Sequence, residues 1–202
     1  MSRPWLWSDG LLGETARVLR FVLSDHCYLR LFEDADAEEF HRLINANRAQ
    51  LTPWMPWAAD QAPERTLRFI RLTRQQVADN DGFQTAIVCD GRIVGVVGFH
   101  GIDWEHRSPS IGYWLDAEHQ RRGIMTGAVR ALVDHALRGW ELNRVEIRAA
   151  LDNRNSRAIP ERLGFRQEGV LRQAERVGDR YLDSVVYAML ASEWPPAPGD
   201  QP

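Results

Sequence analysis

The stretch EHQRRGIMTGAVRALVDHAL, residues 118–137, joins an arginine-rich turn directly to an apolar helix. Its apolar positions Ala128, Leu132, Val133 and Ala136 recur at helical spacing. The first N–H groups of any helix lack intrahelical partners, and the helix dipole adds positive potential there. A turn leading into a helix can therefore hold an anion. Here Gln120 to Thr126 (QRRGIMT) would supply backbone donors, and Arg121 and Arg122 charge-assisted contacts to a diphosphate. Every helix has such an end, so the fragment alone reads first as an ordinary helix start. Neither G-x-G-x-x-G after a strand nor G-x-x-x-x-G-K-[ST] is present. Gly95, Gly98 and Gly101 run along a strand rather than around its end.

Other candidates have equally plain readings on their own. Asn153 and Ser156, in DNRNSRAIPERLGF, are of types that cap helices. Glu175, in LRQAE, reads as a solvated carboxylate beside Arg172 and Arg176. Trp54 and Trp57, in LTPWMPW, could close over a small acceptor or staple a helix–helix connection. Trp5 and Trp7 could pack on the core or on a partner subunit. The six histidines show neither H-E-x-x-H nor a companion cysteine pair, so no metal site is expected.

The elements that must position these residues follow from periodicity. Residues 16–33 read as two short strands around Ser24–Asp25, and 34–50 as a helix burying Phe40, Leu43 and Ile44, capped by Asp34 or Asp36. A second helix over 63–79 opens on proline. Residues 83–99 form two β-branched runs joined by Asp90–Gly91, a dipeptide suited to a two-residue hairpin. Strands follow at 108–116 and 143–151, flanking the opening stretch. A short helix over 155–165 ends at Gly164, and two strands over 166–190 turn at 177–180. The order is ββ-α-α-β-β-β-α-β-α-β-β, a mixed α/β domain over 16–194 between a tail at 1–15 and a proline-rich, disordered tail at 195–202.

At 202 residues, with 44% hydrophobic and 26% charged residues, the chain can bury a real core under a polar surface. A net charge of −3 gives no footprint for nucleic acid. No run approaches membrane-spanning length and the N-terminus lacks a signal peptide's apolar stretch, so a cytoplasmic setting is expected. Cys27 and Cys89 each sit in an apolar run and read as buried free thiols.

Taken together, three motifs resemble a known family. Q-R-R-G-I-M-T is similar to the coenzyme A pyrophosphate loop of the GNAT acetyltransferases. IGYWLDAEHQRRGIMTGAVRAL, DNRNSRAIPERLGF and EGVLRQAE, in that order, resemble the RimJ/RimL-like branch, which acetylates N-terminal alanine or serine of ribosomal proteins. The resemblance covers roughly residues 27–191 and implies a central mixed, mostly antiparallel sheet of about seven strands and four helices, splayed at the acyl-CoA site. It implies that Gln120, Arg121, Arg122, Gly123, Ile124, Met125 and Thr126 hold the diphosphate, mainly by backbone N–H groups. Trp114 and Leu115 would run beside the pantetheine arm, with an N–H near Leu115 facing the thioester oxygen.

The same resemblance makes Asn153 and Ser156 coenzyme contacts. The tyrosine that protonates the leaving thiolate in many relatives is Pro160 here, and in this branch Ser156 takes over the task. Glu175 matches the branch's acidic proton acceptor, while Ser110 stands where relatives often carry a further acid. Gly127 replaces a usual glutamate.

The expected function is acetyl-CoA-dependent N-acetylation by direct attack of an amine on the thioester, the acceptor being a protein N-terminus and Trp54 and Trp57 its wall. An α-amine with pKa near ~8 is roughly a tenth neutral at pH 7, so a modest base suffices. The rivals are transfer to a small-molecule amine, use of another acyl-CoA such as succinyl-CoA, and a coenzyme A-binding module without catalysis. A homodimer is expected from the family's habit and from the exposed-looking tryptophans.

Overall fold

The computed structural model describes residues 19–195. The expected tail at 1–15 with Trp5 and Trp7, and residues 196–202, lie outside them. The elements are β1 (Arg20–Val22), β2 (Cys27–Leu31), α1 (Ala37–Ala46), α2 (Arg48–Leu51), α3 (Pro63–Ala78), β3 (Gln84–Cys89), β4 (Arg92–Asp103), β5 (Ser108–Leu115), α4 (Ile124–Asp134), β6 (Arg144–Ala150), α5 (Arg154–Arg162), β7 (Arg166–Val177) and β8 (Arg180–Leu190). The strands form one mixed sheet in the order β1-β2-β3-β4-β5-β6-β8-β7. Only β5 and β6 pair in parallel, and only at Ser110–Glu146 and Ile111–Ile147. The sheet has eight strands rather than about seven, flanked by five α-helices.

The fifth helix arises because the run over 34–50 is broken. Asn47 is buried, and its side-chain amide donates to the Leu43 carbonyl at 3.0 Å and to Asp116 Oδ1 at 2.7 Å. That local competition for backbone separates α1 from α2. Asp36 occupies the N-cap position of α1 and its carboxylate accepts the Glu33 N–H at 2.8 Å in a capping box over the preceding turn, though it makes no bond to α1 itself. It also forms a bidentate pair with Arg30 at 2.6 and 2.7 Å, and Asp34 pairs with Arg71 and Arg74 of α3.

Alternation along the strands places the core on both faces. Ile111 and Ile147 pack against Ala128, Leu132 and Val133 of α4 and Ala136 in the turn that continues it. Val96 and Trp114 pack against Phe40 and Ile44 of α1 and Ile70 of α3. The Asp90–Gly91 turn has positive φ at both residues, 50° and 76°, as a two-residue hairpin requires.

Cys27 and Cys89 depart from expectation. They are direct partners in the β2–β3 ladder, with Cα atoms 4.2 Å apart, and form a disulfide rather than two free thiols. Partners in antiparallel strands present their side chains on one face at close range, a proximity that their separation of 62 residues conceals.

Candidate active site

The α4 entrance is built as the sequence suggests. Gly123 is its N-cap at φ 77°, Arg121 is also left-handed at φ 61°, and no side chain caps the helix. Two left-handed residues this close make a backbone concavity of the kind that binds anions. The first intrahelical bond runs from the Gly127 N–H to the Gly123 carbonyl at 2.9 Å, so the N–H groups of Ile124, Met125 and Thr126 remain for a ligand. Met125 is buried in the core, so its side chain turns away from that position.

A groove of about 440 Å³ leads from this entrance, within the usual range for small-molecule sites. Tyr113, Trp114 and Leu115 form one wall; Asn153, Ser156, Ile159 and Arg162 form another. The groove exists because β5 and β6 part company beyond Ile111 and Ile147. Asp116 donates to the Val94 carbonyl at 2.8 Å, so by two-residue alternation the N–H groups of Tyr113 and Leu115 face the gap that β6 has left. The Leu115 carbonyl accepts from the side-chain amides of Gln50 (3.2 Å) and Gln120 (3.3 Å), which are bonded to each other at 3.0 Å. Gln120 thus lines the groove while bracing the loop against α2. Arg121 and Gly123 line it as well, whereas Arg122 is exposed outside it.

The start of α5 combines the two readings of its polar residues. Asn153 caps the helix, its Oδ1 accepting the Ser156 N–H at 3.2 Å, and both residues line the groove. The Ser156 carbonyl cannot receive the usual helical N–H because residue 160 is proline. It accepts the Tyr113 hydroxyl at 2.9 Å instead. Burial pushes the Tyr113 phenol well above its usual pKa, so it stays a protonated donor at neutral pH.

Across the sheet lie two further cavities. One, of about 350 Å³, is lined by Trp57, Arg65, Arg68 and Phe69 and shares Tyr113, Trp114 and Met55 with the groove. The other, of about 740 Å³, holds Ser110, Glu146, Arg148 and Glu175 and shares His100 and Gly112 with its neighbour. The two tryptophans expected together are therefore divided: Trp57 lines the smaller of these cavities and Trp54 the groove. Glu175 is exposed on β7, opposite Leu182, and accepts a hydrogen bond from Ser184 at 3.4 Å.

Two residues went unread in the sequence. Arg162 lines the groove and donates to Thr126 at 2.9 Å, placing a cation at the α4 entrance. Its only sequence signal is its place in the last turn of a helix. His100 lies between the two acceptor-side cavities, and nothing in the pattern of histidines marks it.

The model for an acetyltransferase (GNAT) domain matches residues 26–166. A putative ribosomal N-acetyltransferase of Bacillus subtilis, YdaF, is 38% identical over 85% of this chain and 95% of its own length. The ribosomal-protein-serine acetyltransferase of Escherichia coli is 39% identical over 83% of this chain and 94% of its own. Among solved structures, RimL, a ribosomal L7/L12 alpha-N-protein acetyltransferase in complex with coenzyme A, superposes with a TM-score of 0.81 at 28% identity, covering 85% of this chain and 97% of that one. The chain belongs to the GNAT family of N-acetyltransferases, in its RimJ/RimL-like branch.

Proposed function

We propose that this enzyme transfers the acetyl group of acetyl-CoA to the N-terminal α-amine of a protein, a ribosomal protein first of all. The observation that carries this reading is the continuity of three spaces: the groove, the gap between β5 and β6, and the cavity behind Trp57. A ligand lying along the groove presents its far end to that gap, and an amine can reach it only from the opposite face.

Acetyl-CoA supplies the acyl group already activated as a thioester. The N–H groups of Ile124 to Thr126, with Arg121 and Arg162, bind the diphosphate. The N–H groups of Tyr113 and Leu115 align the arm, and a donor of this kind near the thioester oxygen is worth roughly 2.7–4 kcal/mol to acyl transfer. The Ser156 hydroxyl, hydrogen-bonded to no other described residue, donates to the departing sulfur. Trp57 walls the acceptor. Glu175 is where the amine's proton ends, at the solvent end of the larger cavity. An N-terminal amine suits so weak a base, being roughly a tenth neutral at pH 7 where lysine is neutral in under about one molecule in a thousand.

Intact-mass analysis of seryl and alanyl peptides, polyamines and lysine peptides with several acyl-CoAs tests the reading. Acetylated N-termini support it. Modification of polyamines alone, or binding of coenzyme A without transfer to anything, overturns it. A homodimer fits the exposed Val170, Leu171 and Tyr181 on the β7–β8 edge of the sheet, and light scattering on the purified chain tests it.

A further inference from the structure

His100 owes its place to an irregularity. The β4–β5 register shifts between Phe99 and Gly101, so that Phe99 pairs with Ile111, Gly101 pairs with Ser110, and His100 is the extra residue. Such bulges re-aim a side chain. Here the imidazole lies over Gly112: a Cβ built on that glycine would sit 1.7 Å from Nε2. Glycine at 112 is thus what admits the ring. Gly112 is one residue from Tyr113 and one residue past the last β5–β6 pair, at the mouth of the gap through the sheet.

The other described histidines are engaged differently. His26, His106 and His119 each face an aspartate, and His41 bonds Thr66 and Asn45. His135 is enclosed by Phe21, Phe83 and Trp140. His100 has no hydrogen-bond partner among the described residues, and it opens onto both acceptor-side cavities.

We propose that His100 is the catalytic base that takes the proton from the attacking amine, an assignment that rests on the acyl-transfer reading above. The amine lone pair forms the C–N bond and the C–S bond breaks. The proton on nitrogen passes to Nε2, and the sulfur departs with a proton from the Ser156 side or from solvent. His100 then releases its proton into the larger cavity, whose outer wall carries Glu175. Glu175 is the later station and His100 the first.

The charged and titratable groups around the ring are Arg65 and Arg68 from α3, Asp103 on its own strand, His106 in the β4–β5 turn, Arg144, Glu146 and Arg148 from β6, and Glu175 from β7. The residue is open to the cavities, yet packing of its imidazole over Gly112 strips enough solvent from the charged form to hold its pKa below the ordinary value, so its neutral, accepting form prevails at pH 7.

The test is acetylation of a seryl hexapeptide by wild type, His100→Gln, His100→Ala and Glu175→Gln across pH 5–8.5, with thermal stabilisation by coenzyme A measured on each. The expected result for both His100 variants is a fall in kcat of about 100-fold or more, unchanged stabilisation by coenzyme A, and loss of the acid limb that inflects below pH 6.5 in wild type. Added imidazole restores part of the rate in His100→Ala. A His100→Gln enzyme within twofold of wild type, or an acid limb that survives there and disappears in Glu175→Gln, overturns the assignment while leaving the acyl-transfer reading intact. A wild-type chain that binds coenzyme A and acetylates no amine overturns both.

Discussion

The Tyr113 hydroxyl donates to the Ser156 carbonyl at 2.9 Å, occupying the place of the N–H that Pro160 lacks. Strand β5 and helix α5, the two walls of the groove, are thereby tied at Ser156, which lines it. Tyr113→Phe leaves that half-buried carbonyl unpaired and is expected to cost about 1–3 kcal/mol. Pro160→Ala returns a backbone N–H to the same carbonyl. In urea titrations the double variant should recover part of the Tyr113→Phe loss, a non-additive cycle. Additive losses would show that the hydroxyl serves something else.

Gly127 lies inside α4, and a Cβ there meets nothing within 4 Å. Glycine in a helix is disfavoured against alanine by about 0.5–1 kcal/mol. Gly127→Ala should accordingly raise Tm by a few degrees and leave coenzyme A binding unchanged, since the orphan N–H groups precede it. Calorimetry with and without coenzyme A reads both outcomes.

Arg162 reaches Thr126 from α5 and lines the groove. A charge-assisted contact to phosphate is worth about 1.5–3 kcal/mol, so Arg162→Gln should weaken coenzyme A binding roughly tenfold or more. Titration calorimetry at two salt concentrations checks it. The wild-type affinity should fall more steeply with salt than the variant's.

His135 is packed among Phe21, Phe83 and Trp140, with Nε2 buried and unpartnered, and burial lowers its pKa from 6.5. Its neutral form is the one the fold accepts, whereas the unfolded chain protonates near the ordinary value. Stability is therefore full above about pH 6.5 and falls as the pH drops from there toward the folded-state pKa. His100 contributes in the same direction. His135→Phe should flatten this part of the curve, measured as urea midpoints between pH 5 and 8.

The order of elements was legible because its signals are local. Ala128, Leu132, Val133 and Ala136, along α4 and the turn that continues it, recur at helical spacing and all four are fully buried. Asp90–Gly91 sits between β-branched runs, and the polar turn before α4 precedes an uncapped helix. What escaped the sequence depends on contacts across the fold. The break at Asn47 is fixed by Asp116, far along the chain. The bulge at His100 requires a glycine on the next strand. The pairing of Asp36 with Arg30 joins the α1 cap to a strand, and no spacing rule connects Arg162 to Thr126. Pro160 read as a missing tyrosine; its other consequence, a carbonyl that another tyrosine must satisfy, emerges only when β5 is laid beside α5.

The link between Cys27 and Cys89 closes a covalent ring around every residue from β2 to the end of β3. That ring contains α1, α2 and α3, and with them Trp54, Trp57, Arg65 and Arg68. The helices over the cavity behind Trp57 thus belong to one loop fastened at its base. A single proteolytic cut between α2 and α3 would leave two pieces that migrate together on a non-reducing gel and separate once a thiol is added.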